Sequence, residues 1–236
     1  MNRSKKAGIL LATLVVPALV YLFIRFLGTN HYVLPRYIPE IDSTSGLVKM
    51  QTVTGRDGKP VQDTVFNRIP AFQLVDQAGQ PATDALFRGK IHIASFFFTR
   101  CGTVCPKLSS QLTRVQDIFR KEPNLVFLSY SVDPEHDKPE QLREYATRYE
   151  AIPGKWYFLT GDKTVIYRLA QRGYYLPVVD AGVSNGNPDE TFIHSEKLVL
   201  VDKDGIIRGF YDGTDKKDVD RLVLETRVLL DIYGKQ

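Results

Sequence analysis

Thiols are scarce in this chain. Among 236 residues there are two cysteines, Cys101 and Cys105, alongside four histidines and a single tryptophan. A structural zinc site, which wants four protein ligands, would need a third cysteine or a second well-placed histidine, and neither is there. No segment is biased enough in composition to mark disorder or a repeat array. With 43% hydrophobic and 25% charged residues the chain has the make-up of a globular protein. A basic excess is also missing from most of it: five of the 31 basic residues (Arg3, Lys5, Lys6, Arg25 and Arg36) precede the first acid, Glu40, leaving 26 against 27 acidic residues. A near-neutral domain has no basic stripe to offer nucleic acid.

Charge is absent altogether from Gly8 to Ile24, and Phe26 and Leu27 extend this run past Arg25, whose stem can snorkel to an interface. The stretch is long enough to span a bilayer. No small-x-small cleavage site follows it between Arg25 and Tyr32, which favours an anchor over a cleaved signal. Arg3, Lys5 and Lys6 put the short N-terminal side in the cytoplasm and everything after about residue 28 outside. The lack of an Arg-rich, Ser-rich transit peptide favours a bacterial inner membrane over a mitochondrial one. The expected organisation is a cytoplasmic N-terminus and single-pass transmembrane anchor over 1–27, an extracytoplasmic linker over 28–68, and one globular domain over 69–236. Within the linker, the alternation of LVKMQTV before the turn-like GRDGKP suggests a short hairpin.

What is present in the domain alternates strand and helix. Ile91 to Phe98 is a continuous apolar run typical of a strand buried on both faces, and Pro106 to Lys121 repeats Leu108, Leu112, Val115 and Phe119 at helical spacing. Leu125 to Val132 reads as a second buried strand, Glu140 to Tyr149 as a helix, and Trp156 to Leu159 as a third strand. Asp162 caps a helix ending near Gly173. Lys197 to Asp202 and Ile206 to Tyr211 form a hairpin turned at Lys203, Asp204 and Gly205, followed by a helix from about Lys216 to Tyr233. That order, βαβαβαββα with two cysteines between the first strand and its helix, looks like a thioredoxin-like α/β fold, a central mixed sheet flanked by helices. AFQLVDQAGQPATDALFRGK resembles the hairpin that peroxiredoxin-like members add in front.

Closing the five-residue ring between Cys101 and Cys105 would stabilise the fold by only about 2 kcal/mol, less than longer loops gain. Reactivity explains so close a pair better than stapling does. At the mouth of a helix the dipole and free N–H groups lower thiol pKa, giving thiolates able to exchange with disulfides or bind a soft metal. A third ligand is sought among His31, His92, His136 and His194. His31 lies in the linker, His92 in a buried strand and His136 in a turn, so none of the three is given a role. His194 immediately precedes a strand expected to run antiparallel to the first, so it lies at the sheet edge of the cysteine loop. It also closes about twenty aperiodic residues, a length reserved for functional loops. Two thiolates and one imidazole suit a trigonal copper(I) site better than structural zinc.

The segment FFFTRCGTVCPKLSSQL resembles the C-x-x-x-C-P motif of the SCO/SenC copper chaperones of cytochrome c oxidase assembly. SVDPEHDKPEQLREY resembles their D-P-x-x-D-x-P segment, and FIHSEKLVLVDKDGIIRGFYDGT the strand carrying their ligand histidine. The resemblance covers roughly Pro70 to the C terminus. It implies that Cys101, Cys105 and His194 bind copper, as copper(I), copper(II) or both, and that the chain is no enzyme but delivers copper to the dinuclear copper A centre of the oxidase. Its partners would be the copper-bearing oxidase subunit and an upstream copper donor. Asp133 matches an aspartate beside the family's site, and is equally readable as an ordinary Asp-Pro turn with Pro134. Gly102 and Ile193 depart from the family, which often has proline and aspartate there, so loop stiffness and the histidine's surroundings differ. Two other readings remain: a thiol-disulfide oxidoreductase or peroxidase using Cys101 and Cys105 as a redox-active disulfide, and a copper sensor. The peroxidase needs a Thr-x-x-Cys pattern that Thr99 and Thr103 do not supply, and a dedicated reductase needs no histidine at 194.

Overall fold

A computed structural model describes residues 3–27, 33–55, 58–176 and 196–234. The chain divides into two compact units, 1–33 and 34–236. In the first, α1 runs from Arg3–Leu27, with exposed apolar side chains from Leu11 to Phe23. Among the described residues no helix is long and apolar enough to cross a membrane.

The second unit opens with residues read above as linker. They include the expected hairpin, β1 (Met50–Thr54) antiparallel to β2 (Pro60–Thr64), with Val53 opposite Val61. Before it, Leu34 is buried in the main core. The guanidinium of Arg208 holds this entry point, donating to the carbonyls of Leu34 (2.6 Å) and Pro35 (2.9 Å) while pairing with buried Asp202 at 2.9 Å. The segment from 34 on is therefore part of the globular unit.

Among the described residues the main sheet runs β4-β3-β7-β6-β5-β8-β9. Its strands are β3 (Gln73–Asp76), β4 (Pro81–Thr83), β5 (Ile91–Phe97), β6 (Leu125–Ser131), β7 (Trp156–Thr160), β8 (Lys197–Val201) and β9 (Ile207–Asp212). β5, β6 and β7 are parallel, and β3, β4, β8 and β9 are added antiparallel. Every residue of β5 and β6 is buried, as their unbroken apolar runs require of strands covered on both faces. The helices are α2 (Val104–Ile118), α3 (Pro139–Arg148), α4 (Lys163–Arg168, continued by a wider turn to Gly173) and α5 (Lys216–Gly234). α5 packs on β5, β9 and α2, and α3 on β3 and β7. The fold is thioredoxin-like, with the β3–β4 hairpin in front, as expected.

This topology decides what meets what. Because β5 and β6 are parallel, the loops leaving their C-terminal ends lie side by side, joined by the Val132 N–H to the Phe97 carbonyl at 2.9 Å. β8, antiparallel to β5 with Val199 opposite Ala94, begins at that same edge. Its start is held close: a side chain on Gly213 would come within 3.0–3.1 Å of Leu108, Leu198 and the Glu196 carbonyl, so only glycine fits without displacing them. The β8–β9 turn and the Leu34 entry point lie at the opposite edge.

Candidate functional site

After β5 the chain makes one turn, closed by the Cys101 N–H to the Phe98 carbonyl (3.2 Å), and enters α2 at Val104. The helix starts two residues before the expected Pro106, so Cys105 lies in its first turn, where proline's missing N–H leaves nothing unpaired. Thr103, at the N-cap, makes no side-chain cap. The acceptor is the Cys101 sulfur instead, which takes the Cys105 N–H at 3.4 Å. Both residues are free thiols, each 7% exposed.

Their acidities diverge. Burial works to raise the Cys101 pKa, but the Cys105 N–H and thiol and the N–H groups of Thr103 and Val104 outweigh it, and the net shift is downward. Burial pushes the Cys105 thiol up, and the nearby Cys101 sulfur adds to this. Cys101 is therefore the sulfur that reaches thiolate first, and Cys105 the one that holds its proton.

The neighbouring loop contributes two carboxylates. Asp133, 4% exposed, accepts from Arg100 Nη2 at 2.7 Å and lies 2.9 Å from His136 Nδ1, both partners being about half exposed. Burial opposes its ionisation, yet His136 and Arg100 hold its pKa below the usual carboxylate range. Asp137, fully buried, accepts from the Thr99 N–H (3.0 Å), the Thr99 hydroxyl and the Ser131 hydroxyl (2.5 Å).

Cys101 and Cys105 thus come together as read from sequence, and Asp133 stands beside their loop, with its carboxylate taken up by Arg100 and His136. His136, given no role from sequence, joins that cluster, whereas His92 is a buried core residue. His194 and His31 fall outside the described residues. Among the described residues no group of three or more His, Cys, Asp or Glu side chains converges to hold a metal. The two sulfurs are a soft donor pair of the kind that fits a soft ion. Thr99, Arg100 and Asp137 were missed. Asp137 is the second aspartate of the D-P-x-x-D-x-P segment, a signal that bears on function only once the 133–137 turn lies against the cysteine loop.

A family model described as SCO1/SenC matches residues 61–228. Among curated proteins, the chain is 28% identical over 172 residues to the SCO1 protein homolog of Bacillus subtilis, covering 72% of this chain and 86% of that protein. It is 35% identical over 152 residues to a putative copper-binding protein of Stutzerimonas stutzeri, covering 64% and 72%. Among solved structures it is similar to a SCO1/SenC family lipoprotein from Bacillus anthracis (26% identity, TM-score 0.61, 69% of this chain and 94% of that one). It is also similar to BsSco, a Sco-family cytochrome c oxidase assembly protein in which a disulfide switch is identified (28%, TM-score 0.57, 68% and 91%). A further likeness is to Arabidopsis thaliana ScoI solved with copper bound (27%, TM-score 0.55, 71% and 99%).

Proposed function

The chain belongs to the SCO1/SenC family, and from that membership we propose that it is a copper carrier of cytochrome c oxidase assembly, loading the dinuclear copper A centre. Cys101, Cys105 and His194 are the proposed ligands, and the ion is cargo. The observation that carries this reading is the arrangement of the thiols: two buried sulfurs in contact at the start of α2, one acidified by helix N–H groups. The Cys101 thiolate takes the ion first, Cys105 gives up its proton as it joins, and the imidazole completes a trigonal set. The paired thiols, with the copper and oxidase assembly named for relatives, support a carrier over an enzyme.

The anchor belongs to the same proposal. The charge-free run Gly8 to Ile24, flanked by Arg3, Lys5 and Lys6, supports one crossing of a bacterial inner membrane with the cysteine domain outside. The partners are then the copper-bearing oxidase subunit and a copper donor on that side.

A second reading has its own support. The same unequal pair is built for thiol-disulfide exchange, and a disulfide switch is identified in the relative BsSco. One experiment separates the two readings. Copper titration of the reduced full chain should show one ion bound, with Cys101→Ser and Cys105→Ser each abolishing tight binding and His194→Ala impairing copper(II) more than copper(I). In cells lacking the protein, His194→Ala should fail to restore the oxidase at low copper, with partial rescue by added copper. Full complementation by His194→Ala, together with rescue of the deletion by a small-molecule reductant and not by copper, would favour the exchange reading and sink the carrier.

A further inference from the structure

Both residues between Phe98 and Cys101 are gripped by one turn of the chain. Arg100 is held by Asp133, and Thr99 by the buried Asp137 through its N–H and its hydroxyl. The turn itself does not need the Asp137 side chain, since the N–H groups of His136 and Asp137 close it on the Asp133 carbonyl at 3.1 and 2.9 Å. Nor does that side chain cap α3, whose N-cap is Lys138. A carboxylate with no exposed surface is costly unless its hydrogen bonds are satisfied. Here the donors come from the loop leading to Cys101 and from the end of β6.

We propose that Asp137 is a positioning residue for the cysteine pair: acting through Thr99, it fixes the Phe98–Cys101 turn so that the Cys101 sulfur is delivered beside Cys105. Chelation of an ion and closure of a disulfide both require the two sulfurs to be together, so a loosened turn weakens both. The copper arm rests on the carrier reading above, whereas the disulfide arm stands without it.

The test uses the full chain in detergent and three variants, Asp137→Asn, Thr99→Val and Thr99→Ser. The pair is equilibrated with glutathione and its disulfide: the two thiols give two electrons and two protons to one glutathione disulfide, the Cys101–Cys105 bond forms, and two glutathione molecules leave. Asp137→Asn cannot accept all three hydrogen bonds. It should shift this equilibrium toward the dithiol by about fivefold or more and weaken copper binding by a comparable factor. Thr99→Val should shift both in the same direction by less, and Thr99→Ser, which keeps the hydroxyl, should restore them. If Asp137→Asn does not fold, the valine and serine variants carry the test alone. A glutathione equilibrium within about twofold of wild type in Asp137→Asn and Thr99→Val, with only thermal stability reduced, would overturn the proposal. A shifted equilibrium in a protein that takes up no copper would uphold Asp137 and remove the carrier reading.

Discussion

His92 makes a sharp prediction about acid stability. It lies on β5 with no exposed surface, its Nε2 is 3.1 Å from the Tyr174 hydroxyl, its ring is 4.3 Å from that of Phe87, and its Nδ1 has no partner. Burial drives its pKa down from 6.5 to about 3, so the folded protein keeps the ring neutral where the unfolded chain protonates it. The folded pKa is the depressed one, so there is no penalty above pH 6.5. As pH falls below that value, stability is lost at about 1.4 kcal/mol per unit until the folded ring itself titrates near 3. Between pH 6.5 and 4.5 the loss is about 2–3 kcal/mol, a large part of the 5–15 kcal/mol typical of a domain. Trp156, the single tryptophan, is fully buried and bonded through its indole N–H to Ser129 at 2.9 Å, so its fluorescence reports unfolding. Urea melts of metal-free protein across this range should show the steep slope in wild type. His92→Phe should lack it while costing little near pH 7.5, because Tyr174 keeps its 2.9 Å bond to Tyr130. Parallel slopes in the two proteins would refute a buried neutral His92.

Two further outcomes are expected. Arg208→Ala would leave Asp202 as an uncompensated buried charge and free the carbonyls of Leu34 and Pro35. It should cost about 3–5 kcal/mol in denaturant melts and expose residues near 34–37 to protease, and a loss below 1 kcal/mol would show that the pair does not secure the entry segment. For the anchor, protease added to intact spheroplasts should digest the cysteine domain; digestion only after lysis would reverse the proposed orientation.

Much of the fold was legible because the dominant forces act locally. Unbroken apolar runs identified β5 and β6, the Leu108, Leu112 and Val115 repeat identified α2, and Asp162 was read as a cap and accepts the N–H groups of Thr164 and Val165. The start of α2 was read two residues late because proline marks a first turn and not which residue of it. The cysteines were legible through their spacing. The grip of Asp137 on Thr99 was not, since it joins side chains 38 residues apart that meet only once two parallel strands align. Nor was the role of Arg208, which reaches back 174 residues to Leu34 with no periodicity to announce it.

The entry point at Leu34 and the cysteine loop sit at opposite edges of the sheet, and this makes the protein modular. The segment that begins at residue 34 is held at the Arg208 end, away from the residues that shape the thiol pair. Within this unit the entry segment and the thiol pair can therefore change independently of one another, one end serving as a mounting and the other as the working end. The relative from Bacillus anthracis described as a lipoprotein fits such a plan.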